Sequence, residues 1–518
     1  MTPRRTTLLS ALIGVVSAIS TLALAELAAL FLAPASSPLL AVGSWIIDIT
    51  PQWVKELAIG IFGTNDKIFL ITVLGIVVLA LALLVGVLEY RRPPWGIVIL
   101  VAVGIIAAIA VMTRAQATSI WPAPTVIGVV GGVLVLRLSI IRLHNWVAFA
   151  NGSTRRDADF TRSTRRSFIT FVGSTAAVAL VVGVVSRTMN AGTNAVNAAR
   201  AAIKLPAPAT SAVPLATGES LDVPGISPLV SANVDFYRID TAIQVPAIDA
   251  ATWTLKITGM VENEIEISFA DLLALPLQED YVTLTCVSNE VGGNLIGNAL
   301  WLGYPIRELL ARAVPTAGAD MVLSHSIDGF TASTPLEVLQ DTARNSILAV
   351  GMNGEPLPIE HGYPVRMVVS GLYGYVSATK WVVELEVTRF ADATSYWTDN
   401  GWSDHGPIKT SSRIDVPTNG ASVDAGTVAV AGVAWSQHTG ITKVQVRVDK
   451  GSWVDARLAD AISKDTWRQW VYEWPAKKGA HVIEVRATDA SGKTQSGIPV
   501  NVVPDGAEGW HSIDVRVD

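Results

Sequence analysis

Five long apolar runs dominate the first 190 residues of the chain. Each is about the 17–25 residues that a helix needs to cross a hydrocarbon core of roughly 30 Å. They occupy approximately Leu8–Leu32, Ile68–Leu88, Trp95–Met112, Thr125–Ile141 and Phe168–Ser186. The shorter segment Trp45–Phe62 contains two tryptophans and is interrupted by Pro51, so it is more typical of an interfacial helix. The pattern predicts an all-α membrane domain of about five spans over residues 1–190.

Basic residues are unevenly divided between the connecting loops. The N-terminus, the loop after the second run and the stretch after the fourth run carry Arg4, Arg5, Arg91, Arg92, Arg137, Arg142, Arg155, Arg156, Arg162, Arg165 and Arg166. The alternate loops contain only Lys55, Lys67 and Arg114. The positive-inside rule therefore predicts a cytoplasmic N-terminus, and five crossings place everything after about residue 187 outside. With only four crossings the soluble part would instead lie in the cytosol.

An arginine pair stands directly before the fifth apolar run. The segment Ser163-Thr-Arg-Arg-Ser-Phe168 resembles a twin-arginine export signal, which reads S-R-R-x-F, although it is internal and Thr164 departs slightly from the pattern. That route exports proteins that have already folded, as expected where a cofactor is inserted in the cytoplasm. Ordinary positive flanking of a membrane span is the alternative interpretation.

The remaining 328 residues change character twice. Residues 191–230 are rich in Ala, Pro, Ser and Thr, a composition typical of a linker. Residues 231–405 mix strand and helix signals, including a capping box at Ser268 and Asp271, and predict an α+β domain. Residues 406–518 contain short alternating runs separated by turn residues, which predict an immunoglobulin-like β-sandwich.

Composition narrows the function classes. Residues 1–190 contain 15 Lys and Arg against 7 Asp and Glu, whereas residues 191–518 contain 23 against 37. An acidic soluble part argues against a nucleic-acid partner. The chain has one cysteine, which excludes an intramolecular disulfide, a four-cysteine zinc site and a cysteine-ligated iron–sulfur cluster. His144 is the one histidine before residue 190, which argues against a membrane haem with two histidine ligands.

The single cysteine, Cys286, follows a predicted strand and precedes a loop with Gly292 and Gly293. Three interpretations are open from these residues alone. The thiol is a buried, inert core group; or it is a nucleophile with a histidine base, for which the candidates are His325, His361 and His405; or it is a single soft ligand to a metal whose other ligands come from a cofactor.

Several ordered motifs resemble the sulfite oxidase superfamily. The segments that carry the resemblance are Asp235–Asp240, with its F-x-R pattern; Thr283–Gly303, with Cys286 and a closing W-x-G; His361-Gly-Tyr-Pro-Val-Arg366; and Gly371–Trp381, with a closing K-W. The tail, with Ala434-Trp-Ser436, Trp467-Arg-Gln-Trp470, Arg486-Ala-Thr-Asp489 and Gly509-Trp-His511, resembles the immunoglobulin-like dimerisation domain of that superfamily. Together these regions cover about 290 residues.

The resemblance implies a Mo-molybdopterin cofactor and assigns roles to individual residues. Cys286 would be the thiolate ligand of the metal, and Tyr237 and Arg238 would act beside it. The implied cofactor-binding residues are Asp235, Tyr237, Arg238, Cys286, His361, Arg366, Ser377, Ala378 and Lys380, with His361 and Arg366 at the phosphate. Arg366 as a surface cation and Lys380 as a solvent-facing residue are the alternatives, the latter because the closing segment is one residue longer than usual.

The implied function is a membrane-anchored, extracytoplasmic oxidoreductase that moves an oxygen atom and two electrons. Its implied partners are a small-molecule substrate, an external or membrane electron carrier, membrane lipid and a second copy of the chain. Glu290 and Val291 stand where sulfite-oxidising members have arginines, so reduction of a neutral sulfoxide or N-oxide is the alternative within this chemistry. A non-enzymatic anchored surface binding protein is the alternative from another class.

Overall fold

The computed structural model divides the chain into two compact units. It describes residues 2–32, 36–51, 54, 66–114, 117–150, 155–190, 193–242 and 245–518. The first unit comprises Met1–Ala195 and Thr241–Ala247, and the second comprises Val196–Asp240 and Ile248–Asp518.

The first unit is helical. Its helices are α1 (Pro3–Leu32), α2 (Pro38–Ile49), α3 (Asp66–Arg91), α4 (Trp95–Met112), α5 (Pro122–Ala150) and α6 (Arg155–Asn190), and α7 (Thr193–Ala202) follows at its end. Five of them, α1 and α3 to α6, are long and apolar enough to cross a membrane. The five expected spans are thus confirmed in length and composition. The expected interfacial helix coincides with α2 up to Ile49, and residues 52–53 and 55–62 of it lie outside the described residues.

Among the described residues of the first unit, two carboxylates are buried, and both have partners. Glu26 on α1 accepts a hydrogen bond of 2.5 Å from the hydroxyl of Ser37. Glu89 on α3 forms an ion pair of 3.1 Å with Arg137 on α5 and accepts a hydrogen bond from the backbone N–H of Ile97. Paired in this way, buried ionisable groups tie helices together and need no ligand to explain them.

The second unit begins with an α+β domain, as the sequence predicts. Its strands are β1 (Thr254–Gly259), β2 (Ile265–Ser268), β3 (Gln278–Thr285), β4 (Ile296–Pro305), β5 (Met321–Ser326), β6 (Thr331–Pro335), β7 (Ile347–Met352), β8 (Glu355–Pro356), β9 (Arg366–Val368) and β10 (Val382–Thr388). Its helices are α8 (Phe269–Leu273), α9 (Ile306–Ala313), α10 (Leu336–Gln340), α11 (Gly374–Ser377) and α12 (Tyr396–Asp399), with 3₁₀ turns at Thr217–Glu219 and Ile359–His361. One sheet has the order β2-β1-β10-β5-β6; the other has the order β3-β4-β7-β8, with β9 paired to β7.

The capping box predicted at Ser268 shows why the local sequence folds as it does. The Ser268 hydroxyl accepts a hydrogen bond from the backbone N–H of Asp271, and the Asp271 carboxylate accepts one from the backbone N–H of Ser268. Two N–H groups that the short helix α8 cannot satisfy itself are thereby bonded, and β2 passes directly into α8.

The tail is a β-sandwich, as predicted. Its strands are β11 (Ser411–Val416), β12 (Ala421–Val423), β13 (Gly426–Trp435), β14 (Ile441–Val448), β15 (Val454–Asp455), β16 (Arg457–Leu458), β17 (Arg468–Ala476), β18 (Gly479–Asp489) and β19 (His511–Val517). The sheet β11-β13-β17-β16 packs on the sheet β12-β19-β18-β14-β15 around a core that includes Trp470, Trp474, Ile483, Val485 and Ile513. Alternation of apolar and polar residues along these strands supplies that core.

The segment with linker composition lies along the second unit from Val196 onwards. The Arg200 guanidinium donates to the carbonyl of Leu357 at 2.7 Å. Thr210 forms an isolated parallel bridge to Gln278, the first residue of β3. Domain boundaries at residues 190, 230 and 405 stay predictions from composition.

Candidate active site

Cys286 lies directly after β3, at the start of a closed loop that runs to Leu295. The Cys286 N–H donates to the Leu295 carbonyl at 2.9 Å, and the Asn289 N–H donates to the Cys286 carbonyl at 3.1 Å. The Asn289 side-chain oxygen accepts from the Leu295 N–H at 2.8 Å, so this asparagine closes the loop from inside. These bonds fix the backbone on both sides of the thiol, which is 8% exposed.

The surroundings of the thiol act on its charge in two directions. Burial raises the pKa of Cys286, whereas hydrogen bonds from the Ser288 N–H and hydroxyl and from the Val287 N–H lower it. Donors that stabilise a thiolate, combined with a site that water barely reaches, suit a sulfur whose charge is balanced by a metal. Among the described residues, none of the three histidines considered as a base is a hydrogen-bonding or electrostatic partner of Cys286.

Tyr237 interacts electrostatically with both Cys286 and Arg366. Burial raises the pKa of Tyr237 far above its usual range; Cys286 raises it further and Arg366 opposes this. The Tyr237 hydroxyl faces α11, where a Cβ on Gly374 would lie 3.7 Å from its oxygen. The fold therefore brings together a thiol, a phenol and a guanidinium that are separated by up to 129 positions in sequence.

The guanidinium of Arg366, at the start of β9, is buried with backbone acceptors alone. Its nitrogens donate to the carbonyls of Met367, His361 and Ala378 at 3.1–3.3 Å. Burial lowers the pKa of Arg366 to about 10. Among the described residues no carboxylate lies within ion-pair distance of it, so the interior holds a positive charge that an anion would neutralise. The surface-cation alternative for Arg366 is wrong.

His361 is neutral and oriented. Its Nε2 lies 2.9 Å from the Asn233 carbonyl oxygen, which can only accept, so Nε2 carries the hydrogen and donates it in this bond. Burial, with a further contribution from Arg366, lowers the pKa of His361 to about 4. At neutral pH the ring is therefore uncharged: its Nε2–H donates to the backbone carbonyl, and its Nδ1 carries an unprotonated lone pair.

Lys380 is buried and paired, so the solvent-facing alternative is wrong. Its Nζ donates to the Asp240 carboxylate at 2.8 Å and to the Glu360 carbonyl at 3.0 Å. The same carboxylate oxygen of Asp240 accepts from Nε of Arg238 at 2.8 Å. Burial lowers the pKa of Lys380 to about 8, although Asp240 opposes this. Asp240 thus holds two of the expected site cations in one cluster, with Arg238 on its exposed side.

The other expected site residues are Asp235, Ser377 and Ala378, and the donors described for them are used within their own turns. Asp235 is exposed, and its N–H closes a turn on the Ala232 carbonyl. The Ser377 hydroxyl donates within its own turn to the carbonyls of Leu372 and Tyr373, and the Ala378 N–H donates to Gly374. The carbonyl of Ala378 accepts a hydrogen bond from Arg366. Roles of these residues toward a cofactor stay predictions.

Sequence reasoning missed Asp240, which organises the cations. The signal was present, because Arg238 and Asp240 stand two residues apart in an extended segment, where side chains share a face. The pairing of Asp240 with Lys380, which is 140 positions away, had no sequence signal.

Replacing Asp240 by Asn would leave the buried Lys380 ammonium without its carboxylate. We expect the free energy of unfolding to fall by about 3 kcal/mol at pH 7. The pKa of Lys380 is about 8 in the folded chain, and without Asp240 burial lowers it further, so below about pH 8 the folded variant binds fewer protons than the folded wild type. Above about pH 8 the wild-type lysine is itself mostly neutral and gains less from the carboxylate. The loss should therefore shrink as pH rises from 7 to 10, which thermal unfolding of the detergent-solubilised chain at both pH values measures.

The matched control is the double variant Asp240→Asn with Lys380→Met, which removes both charges. We expect it to be more stable than Asp240→Asn alone, because no unpaired buried charge remains. A double variant that loses the sum of the two single effects would show that the ion pair does not carry this stability.

Comparison with known proteins agrees with this geometry. Residues 242–397 match the family model of the oxidoreductase molybdopterin binding domain, and residues 411–485 match the bacterial Ig domain. The first match contains Cys286, His361, Arg366 and Lys380. The second contains most strands of the tail sandwich.

Individual relatives of the chain are named as oxidoreductases or sulfite oxidases. The uncharacterized oxidoreductase YuiH of Bacillus subtilis is 32% identical over 154 residues, which are 30% of this chain and 74% of that protein. Mitochondrial sulfite oxidase of Mus musculus is 28% identical over 331 residues. The alignment covers 53% of this chain and 59% of that protein, so the chain spans little more than half of the sulfite oxidases that it matches.

A solved structure shows the same fold. The sulfane dehydrogenase SoxCD from Paracoccus pantotrophus superposes with a TM-score of 0.50 at 22% sequence identity, covering 56% of this chain and 82% of that chain. Together with the buried guanidinium and the thiol loop, which fit an anionic cofactor bound through one sulfur, these matches establish the family. The chain belongs to the molybdopterin-binding oxidoreductases of the sulfite oxidase superfamily.

Proposed function

We propose that the chain is a membrane-anchored, extracytoplasmic oxidoreductase that transfers an oxygen atom and two electrons at a Mo-molybdopterin cofactor, in the manner of a sulfite oxidase. The observation that carries the proposal is the cluster of buried Cys286, half-buried Tyr237 and buried Arg366. The soft sulfur of Cys286 suits a metal, and the protonated phenol of Tyr237 suits a reacting oxygen. The guanidinium of Arg366, which no described carboxylate balances, suits a phosphate.

Each residue has a task that follows from its surroundings. Cys286 is the metal ligand, since its loop supplies N–H donors that favour the thiolate. Arg366 binds the phosphate of the pterin as a charged fork, and His361 orients that fork through its carbonyl, which accepts from Arg366. Tyr237 stays protonated, because burial raises its pKa, and its hydroxyl donates a hydrogen bond to a substrate oxygen. When bound, the cofactor supplies a two-electron metal centre with an exchangeable oxygen.

Sulfite is the first candidate substrate. Among the expected site cations, Arg238 has the most exposed side chain, at 42%. An entering anion can reach it on the side away from Asp240. Several relatives are named sulfite oxidases. These observations support oxidation of a small oxyanion.

A neutral sulfoxide or N-oxide is the second candidate, favoured by the charges of the site. Glu290 and Val291 follow the cysteine where arginines would be needed, and Glu290 is exposed. Asp240 also compensates both Arg238 and Lys380. A pocket with its cations neutralised attracts a dianion weakly and accepts a neutral oxide.

The proposed side of the membrane rests on the basic residues of the first 190 positions. The distribution of arginines supports a cytoplasmic N-terminus and an external catalytic domain. Electrons then pass to or from an external carrier or a membrane partner, and the lipid bilayer holds the enzyme near it. The immunoglobulin-like tail supports a homodimer by analogy with its superfamily.

We expect about one molybdenum atom per chain in the detergent-solubilised protein, measured by elemental analysis. Cys286→Ser replaces the soft sulfur by a hard oxygen, so the visible spectrum of the metal centre should change and turnover should fall at least about 100-fold. Asn294→Ala is the matched control, since it alters an exposed side chain of the same loop and leaves the sulfur and its donors in place. Protein without molybdenum, from a host that makes the cofactor, would favour a surface binding protein.

Steady-state assays with sulfite, and with a sulfoxide plus an artificial electron donor, separate the two substrates. If sulfite is the substrate, Glu290→Gln removes a repelling charge and should lower its KM about two- to five-fold at low salt, with kcat unchanged. Glu337→Gln, an exposed glutamate on α10, is the control. Turnover of the sulfoxide without turnover of sulfite would support the second candidate.

Replacing Arg165 and Arg166 by Lys tests the export route. Lysines keep the positive flank of the fifth span but remove the arginine pair, so a soluble domain that needs the twin-arginine route should remain cytoplasmic. Protease accessibility from outside the cell measures this. The matched control is Arg155 and Arg156 changed to Lys; unchanged accessibility in both variants would contradict the proposed route.

A further inference from the structure

The loop that follows Cys286 is held by the tail domain. The Arg413 guanidinium, on β11, donates through Nη1 to the Gly293 carbonyl at 2.7 Å. Its Nε donates to Asp415 and its Nη2 to the Ser227 hydroxyl, each at 2.7 Å. With all three nitrogens bonded and an exposed fraction of 11%, this side chain is a rigid support and not a mobile surface arginine.

A second tail residue, His511 at the start of β19, lies against the same loop. A Cβ on Gly292 would approach its ring to 2.3 Å, and Gly292 has a φ of +79°, so glycine alone fits there. The ring is fixed in turn, because its Nδ1 accepts the backbone N–H of Ile414 at 2.9 Å. Arg413 and His511 therefore contact adjacent residues of the loop from one side.

The strand before Cys286 is held by the tail as well. The Thr283 N–H donates to the Asp465 carbonyl at 3.0 Å, and the Thr283 hydroxyl accepts from the Trp467 N–H at 2.8 Å. The Gln437 amide donates to the Thr285 hydroxyl at 2.9 Å. The backbone is thus tied to the tail on both sides of the thiol.

We propose that Arg413 and His511 are positioning residues for Cys286. The loop contains two adjacent glycines, and its opening would carry the Val287 and Ser288 donors away from the sulfur. Contacts from the tail keep the loop closed and so fix the position and direction of the Cys286 side chain. The tail domain has, on this view, a direct effect on the metal ligand beyond any role in dimerisation.

The single cysteine gives this inference a direct measurement. The full-length chain, purified in detergent from cells grown without molybdate, has one thiol, and its alkylation by iodoacetamide or a maleimide reports the opening of this loop. We expect Arg413→Gln to raise the alkylation rate about ten-fold, since a buried charged hydrogen bond to the loop is lost. Arg413→Lys, which retains one charged donor, should give an intermediate rate.

The matched control is Arg447→Gln, which removes another half-buried arginine of the tail, bonded to Glu484. Its alkylation rate should remain within about two-fold of the wild type. Equal acceleration in Arg413→Gln and Arg447→Gln would mean general loosening of the tail and would overturn the inference. A wild-type rate in Arg413→Gln would overturn it too.

A second variant keeps the test decisive if Arg413→Gln does not fold. His511→Ala removes the other support of the loop and leaves Arg413 in place, so it should also accelerate alkylation. In cofactor-loaded protein both variants should shift the visible spectrum of the metal centre and lower kcat with KM unchanged. Alkylation needs no turnover, so a chain without molybdenum would defeat the proposed function and leave this measurement intact.

Discussion

Arg366 is a permanent positive charge inside the protein, and removing it from water is costly unless other groups replace its hydration. The carbonyls of His361, Met367 and Ala378 orient the guanidinium but bring no negative charge. Binding of an anion at this point and stability of the surrounding region are therefore linked, because each favours the other. Gly362 makes the arrangement sterically feasible, since a Cβ there would lie 2.9 Å from that of Arg366.

The two buried cations of the site differ in a way that suits different tasks. Arg366 keeps its charge at every physiological pH and has no carboxylate partner among the described residues. Lys380 has Asp240, and its lowered pKa makes its charge depend on that partner. An arginine without a counter-ion is prepared for an external anion, whereas a lysine with one mainly joins chain segments. Lys380 therefore joins segments of the chain, whereas the charge of Arg366 is left without a carboxylate among the described residues.

The features that the sequence predicts are those set by interactions between residues close together in the chain. The capping box at Ser268, the spans and the strand that ends at Cys286 follow from periodicity and from residue types with strong preferences. The motif resemblance also predicts Cys286 and Lys380 as site residues. It does not reveal that Asp240 pairs with Lys380, or that Arg413 supports the thiol loop, because such contacts depend on how separate sheets pack. Side-chain pairing between distant segments has no signature in a single sequence.

Strand β3 is the outermost strand of its sheet, and its free side is covered from two directions. Thr210 bridges to Gln278 at one end, and Asp465 accepts from Thr283 at the other. An uncovered strand of this kind is a template for pairing with another polypeptide and for aggregation. The segment that precedes β3 and the tail therefore both shield this edge, and loss of either neighbour would expose part of it to pairing with another chain.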